Sequence, residues 1–179
     1  MPSIKLIITS LFLLFCFQQD TEIVWQKERA LVWEDFQAKP DVNSPAAAVT
    51  ASGLTFNYSL SKQNGRIIGF ETMVISHFYP EHSWCKKDQI TDHILSHEQF
   101  HFNITELHSR LLRKEFSKLK VNPNIANQIT ELHRKANKDM GLMQKVYDSE
   151  TDFSRNHEQQ AKWQKKVKLH LNLLESYKL

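Results

Sequence analysis

The apolar period of the chain changes once, near residue 88, and that change restricts it to a sheet followed by helices. From Thr50 to Leu60 the residues alternate: Ser52, Leu54, Phe56, Tyr58 and Leu60 share one face, and Gly53, Thr55, Asn57 and Ser59 the other, as in a half-buried strand. Asn64-Gly65 predicts a tight hairpin, after which Arg66 to Phe78 returns as a strand that is apolar on both faces and so more central in the sheet. A short strand is also expected over Ala30 to Phe36, with a loop from Lys39 to Pro45. Beyond Asp88 the spacing is helical. A long helix is predicted from about Gln89 to Lys118, capped by Asp88. A second opens at Asn122-Pro123 and carries a stripe of Ile125, Ile129, Leu132, Ala136, Met140, Met143 and Tyr147. A third opens at Asp152 or Ser154 and presents Trp163, Val167, Leu171 and Leu174. With no linker-like tract and no internal repeat, this is an α+β order in a single domain.

The 179 residues, with 41% hydrophobic content, 11 phenylalanines and four tryptophans, suffice for one core. The net charge of +3 comes from interleaved acids and bases, without the basic-aromatic stripe that tracks phosphates, so nucleic acid is not an expected partner. Leu6 to Phe17 is a nearly unbroken apolar run behind Lys5 and ahead of Gln18. Such a run falls short of the roughly 20 residues a membrane helix needs, so residues 1–18 are expected to be a secretory signal. The remaining domain, 19–179, is then secreted or periplasmic, with no stable membrane insertion. Loss of the signal also removes Cys16 and leaves Cys85 without an intramolecular partner, so the exported domain must be held by its core, to which a metal could add. Cys85 lacks the local signature of a nucleophile and reads as a packed thiol.

The chemistry is concentrated in His97-Glu98-Gln99-Phe100-His101. Histidines four residues apart lie one turn apart on one helical face, and both imidazoles can reach one tetrahedral Zn2+. Glu98, rotated about 100° from His97, stands beside the metal without ligating it and can shuttle a proton. The expected fold class is therefore α+β: an N-terminal antiparallel sheet, a zincin-like long HExxH helix and two further helices. Glu106 falls about 180° from His97 and is expected to pair with Arg110 instead. His108 lies about 16 Å along the helix from His97, too far to share the metal. The third ligand must come from outside this helix. His157, Asp148 and Glu150 are the candidates, all near the turn between the second and third helices, and a water-filled position is the alternative.

Several segments together resemble a family of exported bacterial proteins, a domain of unknown function commonly labelled zinc-dependent proteases. They are Leu31-Val32-Trp33-Glu34-Asp35-Phe36, Ala48-Val49-Thr50, Ser83-Trp84, His97-Glu98-Gln99-Phe100-His101-Phe102 with Thr105-Glu106 and Arg110, Tyr147-Asp148-Ser149-Glu150-Thr151, and Gln160-Ala161-Lys162-Trp163. The resemblance implies an exported metallohydrolase with zinc on His97 and His101 and Glu98 as catalytic acid. Two positions depart from the family pattern: Asn103 stands where an acid is frequent, and Phe153 where a histidine is frequent, which leaves the third ligand open.

The expected function is hydrolysis of a peptide or protein substrate by zinc-activated water. The alternative is a non-catalytic binding or scaffolding protein with a structural zinc, which a closed four-ligand site would indicate.

Overall fold

The computed structural model describes residues 22–179; the expected signal segment and Cys16 lie outside the described residues. The strands are β1 (Ile23–Val24), β2 (Ala48–Val49), β3 (Ser52–Gln63), β4 (Arg66–Phe78) and β5 (Trp84–Cys85), and the helices are α1 (Asp92–Phe116), α2 (Ile125–Glu150) and α3 (His157–Leu173). β3 and β4 form a long antiparallel hairpin in which Gln63 faces Arg66 across Asn64-Gly65. Both loop residues have positive φ, 49° and 76°, the turn whose twist matches that of the strands. β1 adds two residues to the free edge of β4, and β2 pairs with β5 in a separate ribbon.

The hairpin face bearing Leu54, Phe56, Leu60, Phe70 and Val74 packs on the helices, where Phe100, Ile104, Leu107, Ile129, Tyr147 and Trp163 complete the main core. α1 is central: it touches both long strands, both other helices and the C-terminal turn. Its Thr91 side chain caps it by accepting from the Ile94 N–H at 3.2 Å. Asp88 does not cap it, because the chain is still turning there, with the Gln89 N–H donating to the Lys86 carbonyl.

Two further expectations do not hold. Residues 30–36 contain no strand; Trp33–Asp35 is a 3-10 turn. The cause is Asp35, whose carboxylate accepts from the Val32 N–H at 2.9 Å and pairs with Arg29 at 2.7 Å, curling the chain locally. The zincin-like architecture is corrected with it. His97-Glu98-x-x-His101 does lie in α1, but α1 packs on a two-strand hairpin flanked by strands of only two residues, not on the sheet that a zincin-like fold requires.

On the sheet side of α1, Glu106 and Arg110 are 2% and 1% exposed and meet at 2.8 Å. Arg113 also reaches Glu106 at 3.2 Å, and the Ser76 hydroxyl donates to its other oxygen. The two arginines continue to the carbonyls of Leu171, Val74 and Tyr177, so the buried charges tie α1 to β4 and to the C-terminal segment. Removing one partner of such a set strands a buried charge, whereas an intact set is close to neutral in net stability.

His108, buried on α1 with its Nε2 3.3 Å from the Met143 sulfur, carries the acid sensitivity of this packing. Burial pushes its pKa from 6.5 down to about 4, with Asp139 opposing and Lys135 adding to the effect. Because the folded value is depressed, the neutral ring's contribution is complete above 6.5 and is lost as pH falls toward 4. Denaturant unfolding in chelator should therefore show stability falling by up to about 3 kcal/mol across that window. The variant His108→Leu should flatten the fall, and an equal slope in parent and variant would contradict the assignment.

Candidate metal centre

Cross-contacts of His97 with Asp148, His101 with Gln144 and His108 with Met143 run α2 antiparallel along α1. This brings together one turn of α1 and the last turn of α2. His97 Nε2 and His101 Nε2 are 3.3 Å apart, and Asp148 Oδ1 lies 3.2 Å from the first and 2.9 Å from the second. A tetrahedral zinc with bonds of about 2.0 to 2.1 Å has ligand atoms about 3.3 Å from one another. The donor triangle is close to that size, and its chemistry, two imidazoles and a carboxylate, suits zinc.

The electrostatics point the same way. Burial alone would raise the pKa of Asp148, but hydrogen bonds from His101 and His97 outweigh it and hold the carboxyl far below the usual range. Burial pulls His101 down, yet Asp148 and Glu98 overcome it and leave the imidazole raised. The cluster thus favours positive charge at the point where its donor atoms meet, which a divalent cation supplies.

Gln144, which the sequence reading did not single out, is the supporting residue. Its Oε1 accepts from His101 Nδ1 and its Nε2 donates to the His101 carbonyl at 3.1 Å. With Nδ1–H held by Gln144, Nε2 is the nitrogen that faces Asp148, and it is the one that would present its lone pair once a metal displaced the proton it shares with that carboxylate. The signal was present in the spacing, since Gln144 precedes Asp148 by four residues and so shares its face. His97 is held differently: its ring stacks on Tyr147 with centroids 4.6 Å apart, and its Nδ1 is buried with no hydrogen-bond partner among the described residues.

Glu98 is 5% exposed and lines, with His97, His101 and Asp148, a cleft of about 670 Å³. The opposite wall is the segment Ala46 to Ser52. Cys85 is buried and its thiol is pushed up, first by burial, with Lys87 opposing and Glu34 and Glu98 adding. It is therefore not activated as a thiolate.

Of the other third-ligand candidates, neither reaches the triangle. His157 stacks face to face on His93 at 3.6 Å instead of joining His97 and His101. The reason is the turn Asp152-Phe153-Ser154, whose three positive φ values postpone α3 until Asn156 caps it at His157. Glu150 accepts from Trp163 Nε1 at 2.7 Å and faces α3. No family model, no curated protein and no solved structure matches the chain, so the family resemblance rests on its motifs alone.

Competition with a chromophoric chelator should show zinc affinity falling ten-fold or more in His97→Ala, His101→Ala and Asp148→Ala, and by a similar or smaller factor in Gln144→Ala. His157→Ala should bind as the parent does. Full affinity in Asp148→Ala would remove it from the ligand set.

Proposed function

We propose that the protein is an exported zinc-dependent hydrolase acting on peptide bonds. The observation that carries the proposal is the convergence of His97, His101 and Asp148 on one point of a cleft into which Glu98 also opens. The N-terminal apolar run supports export, and no helix among the described residues is long and apolar enough to cross a membrane.

His97, His101 and Asp148 would hold the metal. The chemistry a zinc ion would supply there is that of a Lewis acid, which would polarise a carbonyl and let water react near neutral pH. Glu98 takes the proton from the attacking water and delivers it to the departing amine. Its carboxylate has no hydrogen-bond or ion-pair partner among the described residues, so it is available for that shuttle. Gln144 holds the His101 ring in register, and Asp148 offsets the positive charge that gathers on the imidazoles.

The cleft wall supports an extended substrate. β2 pairs with β5 along one edge only, and the Lys86 N–H donates to the Ala47 carbonyl on that paired side. By strand alternation the Ala48 N–H and carbonyl point away from β5 on the side of the cleft that Ala48 lines; Ala48 is 6% exposed there, so the pairing offered to a peptide is limited to that one N–H and carbonyl. Three protein donors, not four, form the cluster among the described residues. That count is typical of catalytic zinc sites and argues against a purely structural one.

Glu98→Gln should keep the fold and its zinc, since the side chain is not a ligand, yet lower hydrolysis of a peptide library by at least about a hundred-fold. Cleavage at the parent rate would overturn the role given to Glu98. Absence of cleavage by the fully zinc-loaded parent would favour the scaffolding alternative.

A further inference from the structure

The turn that follows α2 places a large apolar side chain where folding alone gives no reason for one. Asp152, Phe153 and Ser154 have φ of 48°, 51° and 74°, three consecutive non-glycine residues in the left-handed region. Such a run persists only when its surroundings enforce it. They do: the Phe153 N–H donates to the Asp148 carbonyl at 2.9 Å, the Asn156 N–H to the Thr151 carbonyl at 2.8 Å, and His93 Nε2 to the Ser154 carbonyl at 2.7 Å. His157, stacked on His93, braces that last contact from the other side. The result is that Phe153 stands 62% exposed at the cleft that holds His97, Glu98 and Asp148.

The rest of that cleft has a consistent character. Ile94, one turn before His97, also lines the cleft while packing on the second apolar cluster, and its neighbour His93 is bonded to Ser154, the residue after Phe153. The segment from Ala46 to Ser52 contributes four alanines and Val49 along with Thr50 and Ser52, and Tyr79 and His82 also line the cleft. Among the described residues no lysine or arginine lines the cleft, so it offers a terminal carboxylate no permanently charged partner, only the neutral donors of residues such as Tyr79 and His82. The only acids among its described lining residues are Glu98 and Asp148, both already engaged in the chemistry, so no separate carboxylate is left to pair with a terminal ammonium.

We propose that the cleft takes internal segments of unfolded chains and that Phe153, with Ile94, forms a subsite for a large apolar side chain beside the bond that is cut. Resting on the hydrolase reading above, this makes the protein an endopeptidase whose selectivity is set by apolar contact and not by recognition of chain ends. Phe153 is a specificity residue that touches the substrate side chain; the His93–His157 stack is the positioning device behind it.

The test uses the zinc-loaded full chain and a library of peptides blocked as N-acetyl and C-amide, read by mass spectrometry. The proposal expects internal cleavage with Leu, Ile, Met or Phe enriched at one position next to the bond. Phe153→Ala, and independently Ile94→Ala, should reduce the preference for Leu over Ala at that position by about ten-fold while zinc affinity stays at the parent value. Cleavage only of peptides with a free terminus would overturn the proposal, as would an unchanged apolar preference in both variants. Binding separates it from the hydrolase reading. Zinc-loaded Glu98→Gln should bind a fluorescent blocked peptide containing Leu and lose that binding when Phe153→Ala is added. Binding of this kind with no cleavage by the parent supports the apolar subsite and overturns hydrolysis; no binding by Glu98→Gln overturns the subsite.

Discussion

Tyr147 occupies the seam where the three helices meet, stacked on His97 and packed against Phe100 and Trp163 at centroid distances of 4.5 and 5.7 Å. It is fully buried, and the ring fixes both the angle of His97 on α1 and the rotation of α2. Rotation of α2 matters because Asp148 is the next residue: with Tyr147 turned into the core, the carboxylate is carried over the two imidazoles. The energetics of the seam are ordinary apolar burial, with aromatic contacts adding about 0.5–1.5 kcal/mol per pair. The functional consequence is geometric, because a change in that packing would move a donor atom and not merely weaken the fold.

The two charged regions of α1 are kept apart and solved differently. Glu106 and Glu175 neutralise Arg110 and Arg113 under the sheet and the C-terminal turn, and their hydrogen bonds satisfy a buried set that would otherwise be expensive. Around His97 and His101 the acids Asp148 and Glu98 draw positive charge toward the imidazoles, Asp148 pairs with both rings, and the cleft opens on the same side. One helix thus carries a closed ionic joint that holds the fold and an open one that is suited to a cation.

How much of this can be read in the sequence follows the range of the interactions. The Asn64-Gly65 turn and the His97–His101 spacing are local, and both are legible from a few residues. The opposed directions of Glu106 and His97 follow from helical angle alone. The choice among Asp148, Glu150 and His157 was not legible in the same way. Asp148 and Glu150 lie about 200° apart on α2, so everything depends on which side of Tyr147 turns inward, a long-range packing outcome. The late start of α3 was hidden because left-handed turns are ordinarily marked by glycine, and this one is built from Asp152, Phe153 and Ser154. The strand expected at residues 30–36 failed for a comparable reason: Asp35 bends the chain through its own side chain, which apolar alternation does not register.

The central claim, that His97, His101 and Asp148 form one ligand set, is most directly tested by X-ray absorption at the zinc edge of the loaded protein, compared with Asp148→Asn. The account predicts a low-coordinate shell of nitrogen and oxygen at about 2.0 to 2.2 Å with two imidazole scattering patterns and no sulfur. Replacing the Asp148 carboxylate by the amide should alter that shell while retaining both imidazoles. A sulfur ligand at about 2.3 Å, or a spectrum with fewer than two imidazoles, would contradict it.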